Sequence, residues 1–342
     1  MEVNTSLMLY KSLVRSIIDY GSFVFFPREA SLQLKLERAQ FLGIRTALGY
    51  RNSTPNNVIV AEAKVTHLRD RAMLLGINFV NKAIAHNNNG LCDKIHHLLE
   101  GENFKRYRQP AYRLSLLSEI WRKVRRTRHL IDSVEKYPIF SGSYNAQTYK
   151  PTVDIDIGAA RKREKISDLS LIQKIIDKHY LGSDPDILFT DGSYNESARS
   201  TGASIVICDY AEVFKMSLPV LCSSYTAEAF AVSSALRLLW TRKYGDRNKI
   251  IILSDCQAVL KSIRNNHLNV HKNKYVTEAR ILIYKLEKLC DKKIVLAWIP
   301  AHAGILGNEI ADGLTKEAAE EEPDPSITVP VGDLLARARR DV

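Results

Sequence analysis

Residues 185–320 predict an α/β fold, a mixed sheet covered by helices, and three observations carry that expectation. Three strand-like runs stand next to one another: "DILFT" (186–190), "GASIVICD" (202–209) and "EVFKMSLP" (212–219). Helices and strands alternate after them, which is the order of a layered sheet. The fourth run, "NKIIILSD" (248–255), is continuously apolar, as a strand buried on both faces must be.

The remaining elements follow from spacing. "SYTAEAFAVSSALRLLW" (224–240) carries the helical stripe Ala229, Val232, Leu236 and Leu239. Helical stretches "CQAVLKSI" and "YVTEARILIYKLEKL" follow the fourth strand. A fifth strand, "KIVLAWIP" (293–300), leads through a glycine-bearing loop into the helix "NEIADGLTKEAAE". The acidic, proline-bearing "EEEPDPSITVP" reads as a linker opening a C-terminal tail, 321–342.

Residues 1–90 read as a helical region. "SLMLYKSLVRSIIDYG" places Leu9, Leu13 and Ile17 at helical spacing, and "SLQLKLERAQFLGIRTALG" continues after Pro27. Thr54-Pro55 has the form of an N-cap followed by proline in the first turn. "HLRDRAMLLGINFVNKAIAH" is a longer helix that "NNNG" stops. Residues 91–184 read as a connector, partly helical: a basic stretch "SLLSEIWRKVRRTRHLID", an irregular "YPIFSGSYNAQTYKP", and a charged helix "ISDLSLIQKIIDKHYLG".

Composition narrows the function classes. No stretch has the roughly 18 uncharged apolar residues of a membrane span, and no signal-peptide pattern opens the chain. Five cysteines lie far apart without a C-x-x-C, which argues against a disulfide framework or a zinc knuckle. An intracellular protein, nuclear or cytoplasmic, with reduced thiols is therefore expected. Residues 1–150 carry 23 Lys and Arg against 12 Asp and Glu, while 151–342 carry 26 of each. The whole net charge of +11 thus lies in the first half, densest in "WRKVRRTRH" (121–129). Such a cluster fits a nucleic-acid phosphate backbone, and equally a solvated helix face or a nuclear-import signal.

Four acids stand at or near element ends: Asp191 after "DILFT", Glu228 in the first turn of the helix 224–240, Asp255 after "IIILS", and Asp312 in the last helix. Each alone has an ordinary reading. Asp191-Gly192 is a hairpin-turn dipeptide. Glu228 complements a helix N-terminus, Asp255 caps a helix, and Asp312 is a solvated helix position. His302, between Pro300 and Gly304, is an unremarkable loop histidine. Together they say more. The strands 186–190 and 250–254 share one core and deliver carboxylates at their C-terminal ends, where α/β sheets form ligand sites. Two carboxylates at about 4 Å and an effective dielectric of about 20 repel by roughly 4 kcal/mol. Hard divalent cations relieve that, and all-oxygen ligation suits Mg²⁺ or Mn²⁺ rather than zinc.

"TDGS", "YTAEAFAVSSAL", "LSDCQAVL" and "WIPAHAGILGNEIADGLTK" together resemble a type 1 ribonuclease H domain over about 186–319. The resemblance implies a ribonuclease H-like five-stranded sheet, three antiparallel strands then two parallel, and hydrolysis of the RNA strand of RNA–DNA hybrids with two Mg²⁺ ions. It implies Asp191, Glu228, Asp255 and Asp312 as metal ligands, His302 as an aid to proton transfer or product release, and Ser193, Gln257 and Asn308 as substrate contacts. "GNEIADGLTK" and "TAEAFA" are similar to the ribonuclease H domains of non-LTR (LINE-type) retrotransposon polyproteins. "LYKSLVRSIIDYG", "LERAQFLGIRTALGY" and "TPNNVIVAEA" resemble the thumb-like helical region that follows the reverse transcriptase palm in such proteins. No Tyr/Phe-x-Asp-Asp motif occurs, so polymerase activity is not expected. Between Asp255 and "WIP" only "RNNHLNVHKNK" stands where a basic extra helix could grip substrate. The basic residues 105–128 are expected to help hold the nucleic-acid backbone. Two alternatives stay open: a catalytically silent retroelement remnant that only binds nucleic acid, and an integrase-like nuclease on the same fold. The oligomeric state is not legible.

Overall fold

The structure is a computed structural model, and it describes residues 3–134, 144–157, 168–195, 200–208, 212–241, 247–265 and 273–341. The chain divides into two compact units, Met1–Ser133 with Leu334–Val342, and Val134–Asp333. Among the described residues no helix is long and apolar enough to cross a membrane.

The first unit is helical. Its main helices are α1 (Ala30–Leu48), α2 (Leu68–Ala85), α3 (Asn89–Arg108) and α4 (Leu116–Val124). Trp121, Ile120, Val80 and Leu99 pack into one core, and Tyr10, Phe41, Ile44 and Ile59 into another. "NNNG" does stop α2, but it also starts α3: Asn87 takes a left-handed φ of 53°, and Asn88 Oδ1 accepts from Leu91 N–H at 3.3 Å. The basic stretch is helical only to Val124; Arg125–Leu130 tightens into a 3₁₀ turn. The helix after Pro55 begins at Asn56, with Pro55 itself in the cap position. Leu9, Leu13 and Ile17 lie on helical backbone, yet they are 38%, 63% and 76% exposed. Their periodicity therefore marks a surface stripe, not a core-facing one.

The second unit is built on a six-stranded sheet in the order β1-β6-β5-β2-β3-β4. The strands are β1 (Thr152–Asp154), β2 (Asp186–Asn195), β3 (Ser200–Ile207), β4 (Glu212–Leu218), β5 (Lys249–Ser254) and β6 (Lys293–Trp298). β2, β3 and β4 are antiparallel; β5 and β6 run parallel to β2. The five expected strands are all present. β1 adds a short parallel edge from the connector. It is held where buried Asp154 accepts from Lys178 Nζ at 2.6 Å and His179 Nε2 at 2.8 Å.

Period-2 alternation assigns the faces. Phe189, Ile251, Leu253, Val295 and Ala297 share one core with Leu171 and Ile175 of α5 (Asp168–Tyr180) and Ala311 of α9 (Leu306–Ala319). Leu188, Ile250, Ile252 and Leu296 alternate with them and are fully buried too. The helices α6 (Ser224–Thr241), α7 (Gln257–Arg264) and α8 (Lys274–Leu289) complete the unit. Burial of β5 on both faces is what its unbroken apolar run requires.

Two expectations are corrected. Asp191-Gly192 is neither a hairpin turn nor a strand end. β2 runs on to Asn195, with Gly192 opposite Ala203 in the β3 ladder. What ends near Asp191 is the pairing with β5, whose last partners are Thr190 and Ser254. Glycine is needed because α6 crosses here: a Cβ on Gly192 would sit 2.3 Å from Glu228 N and from Ala227 C. The "EEEPDPSITVP" stretch is also no free linker. Ile327 and Val329 are buried, Asp324 N–H bonds Ser217 O at 3.1 Å, and Tyr275 Oη donates to Thr328 O at 2.9 Å. Its few apolar residues, all near its end, find a place on the unit; the acidic ones stay in water.

Candidate metal centre

Three backbone anchors bring the acids together. Asp191 lies in β2, where its carbonyl oxygen is 3.4 Å from Thr315 Oγ1 of α9. Thr315 in turn lies 2.9 Å from Ser204 Oγ, and Ser204 donates to Ala311 O at 2.7 Å. This buried hydroxyl pair ties β2 and β3 to α9. Asp255 follows β5 directly; Trp298 Nε1 donates to its carbonyl oxygen at 2.8 Å, and Ile299 N–H to Ser254 O at 3.1 Å. Glu228 is the fifth residue of α6, so it lies in the second turn, past the end of the helix where a carboxylate would serve as a cap. That helix starts on Ser223, whose Oγ accepts from Thr226 N–H at 3.2 Å. Ser223 N–H and Oγ both donate to Asp333 at 2.8 Å, and Asn273 Nδ2 donates to Thr226 Oγ1 at 2.9 Å.

As a result, one carboxylate oxygen from each of Asp191, Glu228 and Asp255 lies within 4.8 Å of the other two. Asp191 and Glu228 are buried, and Asp191 Oδ2 and Glu228 Oε2 have no hydrogen-bond partner among the described residues. Buried acceptors without donors are rare and costly in a native fold. The electrostatics agree. Burial pushes the Asp191 carboxyl up to about 6, with the charges of Asp255 and Asp312 adding to it against the Thr315 hydrogen bond. Glu228 is held well above the usual carboxylate range, first by burial and then by Asp191 and Asp255. A divalent cation could supply the missing partner and would remove the repulsion. The donors are all oxygens, and neighbouring Cys256 stays a thiol, its pKa pushed up to about 11 by burial and then by Glu228. This set fits a hard cation such as Mg²⁺ or Mn²⁺.

The other predicted residues divide. Asp312 is not one of the three grouped acids. It sits on α9, and its Oδ2 accepts from Lys316 Nζ at 2.6 Å, though its charge still reaches Asp191. His302 lies in the turn between β6 and α9, exposed, with a left-handed φ of 48°. Asn308 is buried; its Nδ2 is 3.5 Å from Asp255 Oδ2, and its Oδ1 has no partner among the described residues. Gln257 opens α7 and accepts from Lys261 Nζ at 2.8 Å. Ser193 is half-buried on β2, opposite Gly202. Sequence reasoning missed Thr315, Ser204, Trp298, Ser223 and Asp333, which anchor the site's backbone. The legible signal for Ser204 was a hydroxyl inside the apolar run "ASIVI". The stretch 266–272, considered for substrate grip, lies outside the described residues, apart from its flanks.

No curated protein matches the chain. Residues 184–320 match the family described as RNase H, and this stretch, which holds β2 to β6 and every acid of the site, is an RNase H domain.

Proposed function

We propose that the chain hydrolyses the RNA strand of RNA–DNA hybrids endonucleolytically, by two-metal-ion chemistry. The observation that carries this reading is the buried trio Asp191, Glu228 and Asp255, with two oxygens left without donors, inside an RNase H domain. Asp191, Glu228 and Asp255 would hold Mg²⁺ or Mn²⁺, and Asp312 would join them as a fourth ligand on release from Lys316. When bound, a pair of such ions supplies Lewis-acid activation of the attacking water and stabilises charge on the leaving oxygen.

The chain's own residues do the rest. The Thr315–Ser204 pair and Trp298 hold the backbone of Asp191 and Asp255 in place, so the carboxylates need no rearrangement. His302, on an exposed turn, delivers a proton to the leaving 3′ oxygen or aids product release. Ser193, Gln257 and Asn308 contact the substrate near the acids. Selectivity comes from duplex shape and 2′-hydroxyl contacts, not from base sequence. The motif resemblance supports an origin in a non-LTR retrotransposon polyprotein, with residues 1–90 from the region after the palm and no polymerase activity.

The test is a hybrid labelled on either strand, incubated with the purified chain. The RNA strand is cut, the DNA strand is not, and EDTA stops the reaction until Mg²⁺ is restored. Cutting of duplex DNA would favour the integrase-like alternative. Hybrid binding without any cutting would favour the silent remnant.

A further inference from the structure

The helical unit contains a cavity of about 680 Å³ that the RNase H domain does not account for. Five arginines line it: Arg28, Arg69, Arg106, Arg113 and Arg122, with Glu119 the one carboxylate. Two of the five are neutralised. Arg28 bonds buried Glu102, which also accepts from Ser115 N–H at 2.9 Å, and Arg69 bonds Glu119 at 2.6 Å. Arg106, Arg113 and Arg122 have no carboxylate partner among the described residues. Three uncompensated guanidinium groups therefore converge on one concavity, and its scaffold is fixed by buried hydrogen bonds. An anion is the ligand such a pocket lacks.

The chemistry can be narrowed further. Two aromatic residues line the pocket: Phe26, half-buried against the helical core, and Tyr112, whose ring already carries the Arg28 guanidinium at 5.0 Å and Lys105 Nζ at 6.0 Å. The lining is dominated by guanidinium donors, which is phosphate chemistry rather than base readout. We infer that this arginine pocket binds consecutive phosphates of a nucleic-acid backbone, independently of sequence. The choice of ligand rests on the hybrid-nuclease reading; the anion site does not.

The test is equilibrium binding of a fluorescent RNA–DNA hybrid to the full chain in EDTA, over a range of salt. It compares wild type, Arg106→Gln/Arg113→Gln/Arg122→Gln, and a charge-matched control, Lys35→Gln/Arg38→Gln/Lys82→Gln, whose exposed residues lie outside the basic stretch 105–128 and do not line the pocket. The pocket variant is expected to bind about tenfold or more weakly, with the slope of log K against log salt reduced by about 2 to 3, near 1 per arginine. The control is expected to change the slope by less than about 1. Equal losses in both variants, or an unchanged slope in the pocket variant, would overturn the inference. Displacement of the hybrid by millimolar AMP or inorganic phosphate would also overturn it, by making the site one for free phosphates. Circular dichroism checks folding, and if the triple variant unfolds, each single Arg→Gln is expected to lower the slope by about 1. Wild type that binds with the full slope but cuts nothing contradicts the nuclease reading and leaves the pocket standing.

Discussion

Asp191→Asn and Asp255→Asn are each expected to lower hybrid cleavage by about a thousandfold or more while the protein stays folded. Either change removes a carboxylate from a three-acid group whose oxygens lie within 4.8 Å. A thousandfold is about 4 kcal/mol of barrier. The isosteric amide keeps the packing and takes a charge out of a repelling cluster, so the metal-free fold is not weakened. Single-turnover cleavage, with circular dichroism on the same samples, separates this from misfolding. Activity within a few fold of wild type in both variants would mean the acids do not carry the chemistry.

The second large effect is structural. Gly192→Ala is expected to destabilise the RNase H domain by about 3 kcal/mol or more, because the added Cβ meets backbone, not a side chain that could turn away. Its nearest neighbours would be Ala227 C and Glu228 N, both at 2.3 Å. Relief requires α6 to move off β2, and Glu228 moves with it. Cleavage is therefore expected to fall even in the fraction that stays folded. Gly313→Ala, in α9 with open space around its Cβ, is the control and is expected to stabilise by about 0.5–1 kcal/mol. The comparison is made on urea unfolding midpoints. Equal midpoints for the two variants would show that β2 and α6 are not locked at this crossing.

These two residues stand next to each other in the sequence, and they were not equally legible. Asp191 could be singled out because an apolar run delivered it beside a second such run ending in Asp255. Gly192 looked like a turn residue, since a turn and a helix crossing both ask for glycine and only tertiary structure separates them. Sequence pattern identified β2, β3, β5, β6 and α6 because their apolar residues are buried almost throughout, and β4 by its alternation of half-buried and exposed residues. It misled at Leu9, Leu13 and Ile17, where an apolar stripe lies on the surface. β1 is three residues long and depends on Asp154 with Lys178 and His179, so no local pattern announces it. The backbone anchors of the site were illegible for the same reason: Trp298, Thr315 and Asp333 act on residues 43, 124 and 110 positions away.

The central claim is that Asp191, Glu228 and Asp255 form a divalent-cation site, and thermal unfolding with and without Mg²⁺ tests it most directly. Asp191 at about 6 and Glu228 above its usual range mean that the metal-free folded state holds protons which the unfolded chain has already released. The Asp191 contribution to metal-free stability is therefore fully present below about pH 4 and is lost as pH rises through about 6, and the Glu228 contribution is lost in the same direction. At pH 7.5, Mg²⁺ at about a hundredfold over its Kd should return about 2.7 kcal/mol, or roughly 5 to 10 °C in Tm for a domain of this size. The account predicts that gain in wild type, its loss in Asp191→Asn, and a metal-free Tm for the variant at least as high as that of wild type. An unchanged wild-type Tm on adding Mg²⁺ or Mn²⁺, or the same gain in the variant, would contradict it.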